Sequence, residues 1–241
     1  LITGIVNQQI NGEAMTFKVT DNNFIYDTKT LIFSTTGVQI LDSVVSGGDE
    51  IIEYGEMASM SVELTNLETD PIYDGTMTIA TDDPYIVIID STEFIGTLQV
   101  GVPVMFENAF SFQVDPNIPD EHPFEIETMI EDSTRQVWEN TLQYTAYAPV
   151  IDLVDVLIND GENGRLDPGE TSDMVLHIKN SGGSRVSMMS CILQCQDTLV
   201  TINADSQYVA GLETDSSTLL VYNVSVDDDA PIGHIVSFEL R

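Results

Sequence analysis

The chain repeats itself, and that constrains its fold more than any other feature. Residues 53–71, EYGEMASMSVELTNLETDP, lie over residues 167–185, DPGETSDMVLHIKNSGGSR, at a separation of 114. This register sets Gly55 on Gly169, Glu56 on Glu170 and Asn66 on Asn180. Further along, DDPYIVIIDSTEFIGTL matches QDTLVTINADSQYVAGL, with Asp83 on Asp197 and Gly96 close to Gly211. VDPNIPDEHPFEI then meets VDDDAPIGHIVSF at a separation of 112, with Asp115 on Asp227, Pro119 on Pro231 and His122 on His234. A register held over so many positions means one module built more than once, each copy roughly 90–110 residues long.

The module reads as β-structure. MASMSVELTNL, GTMTIAT, YIVIID, AFSFQV, FEIETMI, DMVLHIKN, TLLVYNVSV and IVSFEL alternate or run apolar over strand lengths, separated by Gly, Pro, Asp and Asn. No 3.6-residue periodicity persists over a helical window. Many short strands at close spacing predict an all-β chain of antiparallel β-sandwiches. Residues 1–36 read as the C-terminal part of a preceding module, with Phe17 on Phe112 and Val19 on Val114. Module one is expected over 37–148 and module two over 149–241, the second ending one strand short at Arg241. YAPVIDL is the linker, because Pro149 donates no ladder hydrogen bond. With no initial Met and a strand-like end, the sequence reads as a piece of something longer.

Charge narrows the partners. Forty Asp and Glu face seven Lys and Arg, a net charge of −33, while 42% of residues are hydrophobic. That is a folding composition with no basic stripe to neutralise phosphates, so nucleic acid is excluded as a partner. Direct membrane insertion is not expected either, since the longest apolar runs are strand-sized. Such a surface attracts cations, or suits a salty or extracellular medium.

NDGENGRLDPGE, Asn159 to Glu170, concentrates that charge in one loop. Ca²⁺ takes six to eight oxygens. Asp160, Glu162, Asn163 and Asp167 offer them at short spacing, and Glu170 stands ready to close the site from the next strand. Gly161 and Gly164 permit the positive φ that turns carbonyls inward, and Asp152 or Asp155 is placed to reach in from the preceding strand. The loop lacks the EF-hand spacing. Asp-Gly and Asn-Gly are equally the signature of a plain hairpin turn, so both readings stand. The matching loop of module one keeps Asp49, Glu53 and Glu56 but loses the Asn-Gly.

DGENGRLDPGETSDMVLHIKNSGG resembles a pattern of secreted Bacteroidetes-type surface proteins, in which an acidic Asp-Gly-x-Asn-Gly loop runs into Leu-x-Pro-Gly-Glu, a strand and Lys-Asn-x-Gly. It is similar to the immunoglobulin-like modules that follow the catalytic domain of gingipain-type cysteine peptidases and occur in other type IX secretion cargo. The resemblance covers residues 151–183 best. It implies tandem immunoglobulin-like accessory modules on an extracellular or cell-surface protein, without the peptidase core.

The remaining candidates read as structural. Cys191 and Cys195 in CILQC would sit about 13 Å apart on a strand, too far for a disulfide and consistent with two thiols on one face. His122 and His234 share a repeat position, which favours a loop hydrogen bond over catalysis. His177 reads as a surface residue. Asn223 begins an Asn-Val-Ser glycosylation acceptor. Trp138, with Tyr144, Tyr147 and Pro149 nearby, reads as a packed joint, or else as a glycan-stacking platform. The expected function is a non-catalytic, calcium-stabilised spacer, with neighbouring modules or other surface proteins as partners and stalk or filament assembly as the setting. A glycan- or ligand-binding adhesin module, or accessory domains of a secreted peptidase, is the alternative.

Overall fold

A computed structural model describes residues 14–21, 24–32, 37–46, 51–161 and 163–241. All regular structure among them is β, in several antiparallel sheets. The strands are β1 (Ala14–Asp21), β2 (Phe24–Ile32), β3 (Val38–Ser46), β4 (Ile52–Glu53), β5 (Met57–Asn66) and β6 (Ile72–Ala80). They continue with β7 (Ile86–Asp90), β8 (Thr92–Leu98), β9 (Val104–Val114), β10 (His122–Glu131), β11 (Val137–Tyr147) and β12 (Ile151–Asn159). The last six are β13 (Thr171–Asn180), β14 (Met189–Cys195), β15 (Val200–Ile202), β16 (Ser206–Val209), β17 (Ser217–Val226) and β18 (Phe238–Leu240).

From β3 onward the sheets fall into two compact units. One reaches to Pro116 and takes in Pro123–Tyr144; the other is Asn117–His122 with Thr145–Arg241. The first has a four-stranded sheet, β3-β5-β9-β7, and a five-stranded sheet, β4-β11-β10-β6-β8. The second has a four-stranded sheet, β12-β13-β17-β15, and a three-stranded sheet, β16-β14-β18. Laid side by side, β3, β5, β6, β7, β8, β9 and β10 correspond in order and pairing to β12 through β18. The correspondence extends to irregularities: the β3–β5 ladder slips between Ile40 and Asp42, and the β12–β13 ladder between Leu153 and Asp155.

Alternation decides which faces are buried. Along β13, Met174, Leu176 and Ile178 point inward, and along β5 Met60, Val62 and Leu64 do the same. In the second unit these residues share one core with Cys191 and Leu193 of β14 and with Leu220, Tyr222 and Val224 of β17, so both sheets contribute to it. In the first unit Phe112 of β9 meets Phe124 of β10 edge-on, centroids 5.9 Å apart, again across the two sheets.

At the N-terminal side, β1 pairs with β2, Ala14 opposite Ile32.

Candidate functional site

The acidic loop joins β12 to β13. Asp160 stands at the end of β12, and its carboxylate turns back onto the loop's own backbone. It accepts N–H bonds from Asn163 at 3.2 Å, Gly164 at 2.9 Å and Arg165 at 3.1 Å. Gly161 and Gly164 take φ of 82° and 73°, the left-handed conformation that lets successive N–H groups converge on one anion. Asn163 donates its side-chain amide to Asp167 Oδ2 at 2.7 Å. Glu170 Oε2 accepts the backbone N–H of Asp167 at 3.1 Å. The structure thus brings Asp160, Asn163, Asp167 and Glu170 into one loop; Glu162 lies outside the described residues.

In this arrangement the acceptors face N–H donors of the loop itself. A calcium shell needs oxygens converging on an open point. Among the described residues no group of three or more His, Cys, Asp or Glu side chains is gathered to hold a metal ion. The described donors, Asp160, Asn163, Asp167 and Glu170, are placed as a self-capped turn. Gly169, φ 80°, lets the chain pass beside Asp228, whose carboxylate stands where a Cβ would project. Glu170 N–H closes onto Asp167 O at 3.1 Å, completing the Asp-Pro-Gly-Glu turn.

The other sequence candidates have structural partners. His234 Nε2 and Asp197 Oδ2 lie 2.7 Å apart. Asp197 also accepts Leu199 N–H at 2.9 Å, and these bonds, the backbone one foremost, hold its carboxyl below the usual carboxylate range. Cys191 and Cys195 are both free and share the inward face of β14 with Leu193. Burial pushes the Cys191 thiol up, away from the reactive thiolate. Asn223 is mid-strand in β17, and its amide donates to Asp173 Oδ1 at 2.8 Å. Trp138 is half-buried and donates its indole N–H to Glu68 Oε1 at 3.0 Å.

The residues that sequence reading passed over are the asparagines of the repeat. Asn66 is fully buried; its amide donates to the carbonyls of Asp70 at 2.9 Å and Leu98 at 3.0 Å, and its oxygen accepts Glu68 N–H at 2.8 Å. Asn180, also fully buried, donates to Ser184 O at 2.8 Å and Leu212 O at 3.2 Å, and accepts Gly182 N–H at 3.1 Å. These three partners sit at the repeat separation of 114, as Asn66 does from Asn180, and Asn180 Oδ1 also accepts Val150 N–H at 3.2 Å. The Asn-on-Asn match was the available signal.

No protein-family model matches the sequence, and no curated protein matches it. Among solved structures, the secreted serine protease VesC from Vibrio cholerae aligns at 12% identity and a TM-score of 0.28, over 75% of this chain and 45% of that one. The chain therefore spans less than half of that protease. A Porphyromonas gingivalis W83 protein of unknown function aligns at 11% identity and a TM-score of 0.28, over 80% of this chain and 84% of that one. Among the described residues no helix is long and apolar enough to cross a membrane.

Proposed function

We propose that the chain is a non-catalytic spacer, a run of immunoglobulin-like β-sandwiches in a secreted or cell-surface protein. The observation that carries this reading is the repeated tie: the same strand order and the same buried asparagine network occur in both units. An asparagine that stitches a strand end to two loops is a device for holding a module's end in one shape. Its repetition supports the reading of an array in which each module keeps one shape. The chemistry of the acidic loop serves the same purpose, since the Asp160 carboxylate organises the loop backbone. Trp138, tied to Glu68, gives the glycan-platform reading no specific support.

Single-molecule stretching of the whole chain tests this. Two separate unfolding events are expected, each releasing about 300 Å, since roughly 90 residues extend by about 3.5 Å each. One concerted event, or extension without a resolved event, would remove the basis for a spacer of independent modules.

A further inference from the structure

Asn163 directly precedes Gly164 in the acidic loop, and that pair is chemically reactive. A backbone nitrogen can attack the side-chain carbonyl carbon of the asparagine before it. Glycine hinders the approach least, because it has no Cβ and bends the chain freely. Asn-Gly occurs at one other place in the sequence, Asn11, which lies outside the described residues. The matching loop of the first unit has no such pair.

Burial does not protect the pair, since Asn163, Gly164 and Arg165 are all exposed. Hydrogen bonding does. The attacking atom, Gly164 N, donates to both oxygens of Asp160, at 2.9 and 3.1 Å. It must lose that proton before it attacks, which would set a negative nitrogen against a carboxylate. Asn163 N–H is held by the same carboxylate at 3.2 Å, so turning the backbone to bring nitrogen onto carbon breaks bonds on both sides of Asn163. The leaving group is tied as well, because Asn163 Nδ2 donates to Asp167 Oδ2 at 2.7 Å. Addition to Cγ would also place negative charge on the Asn163 side-chain oxygen, in a loop that already holds Asp160, Asp167 and Glu170.

We infer that Asn163 is a site of slow covalent modification, deamidation through a succinimide, and that Asp160 holds the reaction off while the loop is closed. The steps balance with water alone. A base takes the Gly164 N–H proton, the bond from Gly164 N to Asn163 Cγ forms, and the Cγ–Nδ2 bond breaks as ammonia leaves. One water then opens the ring at either carbonyl, leaving an aspartate or an isoaspartate. The product reverses the chemistry of the loop. A donor facing Asp167 becomes a carboxylate facing Asp167, so an attraction becomes a repulsion. The isoaspartate product also lengthens the main chain by one atom. Water does not restore the amide, so the change is one-way and accumulates with the time the loop spends open. It depends on the closed loop of the second unit and not on the spacer role.

The intact chain is incubated at mildly alkaline pH beside a synthetic peptide of residues 159–170, and Asn163 is followed in both by peptide mass spectrometry. Deamidation is expected to be slower in the chain than in the peptide by about tenfold or more, the worth of a charge-assisted hydrogen bond. Asp160→Ala should bring the chain close to the rate of the peptide. Asp167→Asn frees the Asn163 amide but leaves Gly164 N–H on Asp160, so it should speed the reaction less. Asn163→Asp, which installs one product directly, should speed amide exchange over residues 163–167 and leave β13 and β17 protected. The inference is overturned if the chain deamidates as fast as the peptide, if Asp160→Ala leaves the rate unchanged, or if Asp167→Asn matches Asp160→Ala. Unchanged exchange in Asn163→Asp would overturn the consequence drawn for the loop. Should Asp160→Ala not fold, the comparison of chain with peptide decides.

Discussion

Asn66 partners three backbone groups of the surrounding loops, and Asn180 four, the Val150 and Gly182 N–H groups and the Ser184 and Leu212 carbonyls. Removing the Asn180 side chain takes that hydrogen bond from all four in a dry interior. Asn180→Ala is expected to lower the stability of the second unit by about 2–3 kcal/mol, read as a shift of one transition in a denaturant melt with the other unmoved. Tyr222 shows the opposite pattern, a residue that the repeat does not share. It stands where the first unit has Phe110, and its hydroxyl donates to Cys191 O at 2.8 Å. Burial, before the nearby Cys191 and Asp205, pushes its pKa up to about 12. A group whose folded pKa lies above its unfolded value of about 10 contributes stability below that value and loses it as pH rises. The second unit should therefore weaken between about pH 10 and 12. Tyr222→Phe should cost about 1 kcal/mol at neutral pH and flatten that alkaline limb in a pH series of melts.

At the scale of elements, the strands that alternate cleanly were legible and the edges were not. β5 and β13 are central in their sheets, so their inner faces are buried and their outer faces polar, which writes the pattern into the sequence. YIVIID is a strand-sized apolar run, yet β7 is a sheet edge with Val87 and Ile89 exposed. Apolar residues on an edge mimic a central strand when partners are unknown. The acidic loop was ambiguous for a related reason: residue types show how many oxygens exist, not whether they face N–H groups or open space. Because Asp160 caps the loop backbone, Asp160→Ala should loosen residues 160–165 in amide exchange without any cation present. Ca²⁺ and Mg²⁺ should raise the melting temperature equally, by screening. A calcium-specific rise that vanishes in Asp160→Ala would instead make the loop a metal site. Gly182 is a close-approach position: a Cβ there runs into Ala148 O and Val150 N. Gly182→Ala should destabilise the second unit more than Gly161→Ala, where a Cβ meets open space and only the φ of 82° resists it.

For the molecule as a whole, the repeat was readable because conserved spacing between Gly, Asn, Asp and His survives where apolar residues interchange. A surface charge of −33 also means that carboxylate repulsion opposes folding everywhere, so both units should gain stability as ionic strength rises, before any specific ion effect. The most direct measurement of the central claim, two units of the same strand order, is residue-resolved amide exchange on the intact chain. β13 and β17 should be protected like β5 and β9. A second unit unprotected throughout would contradict it.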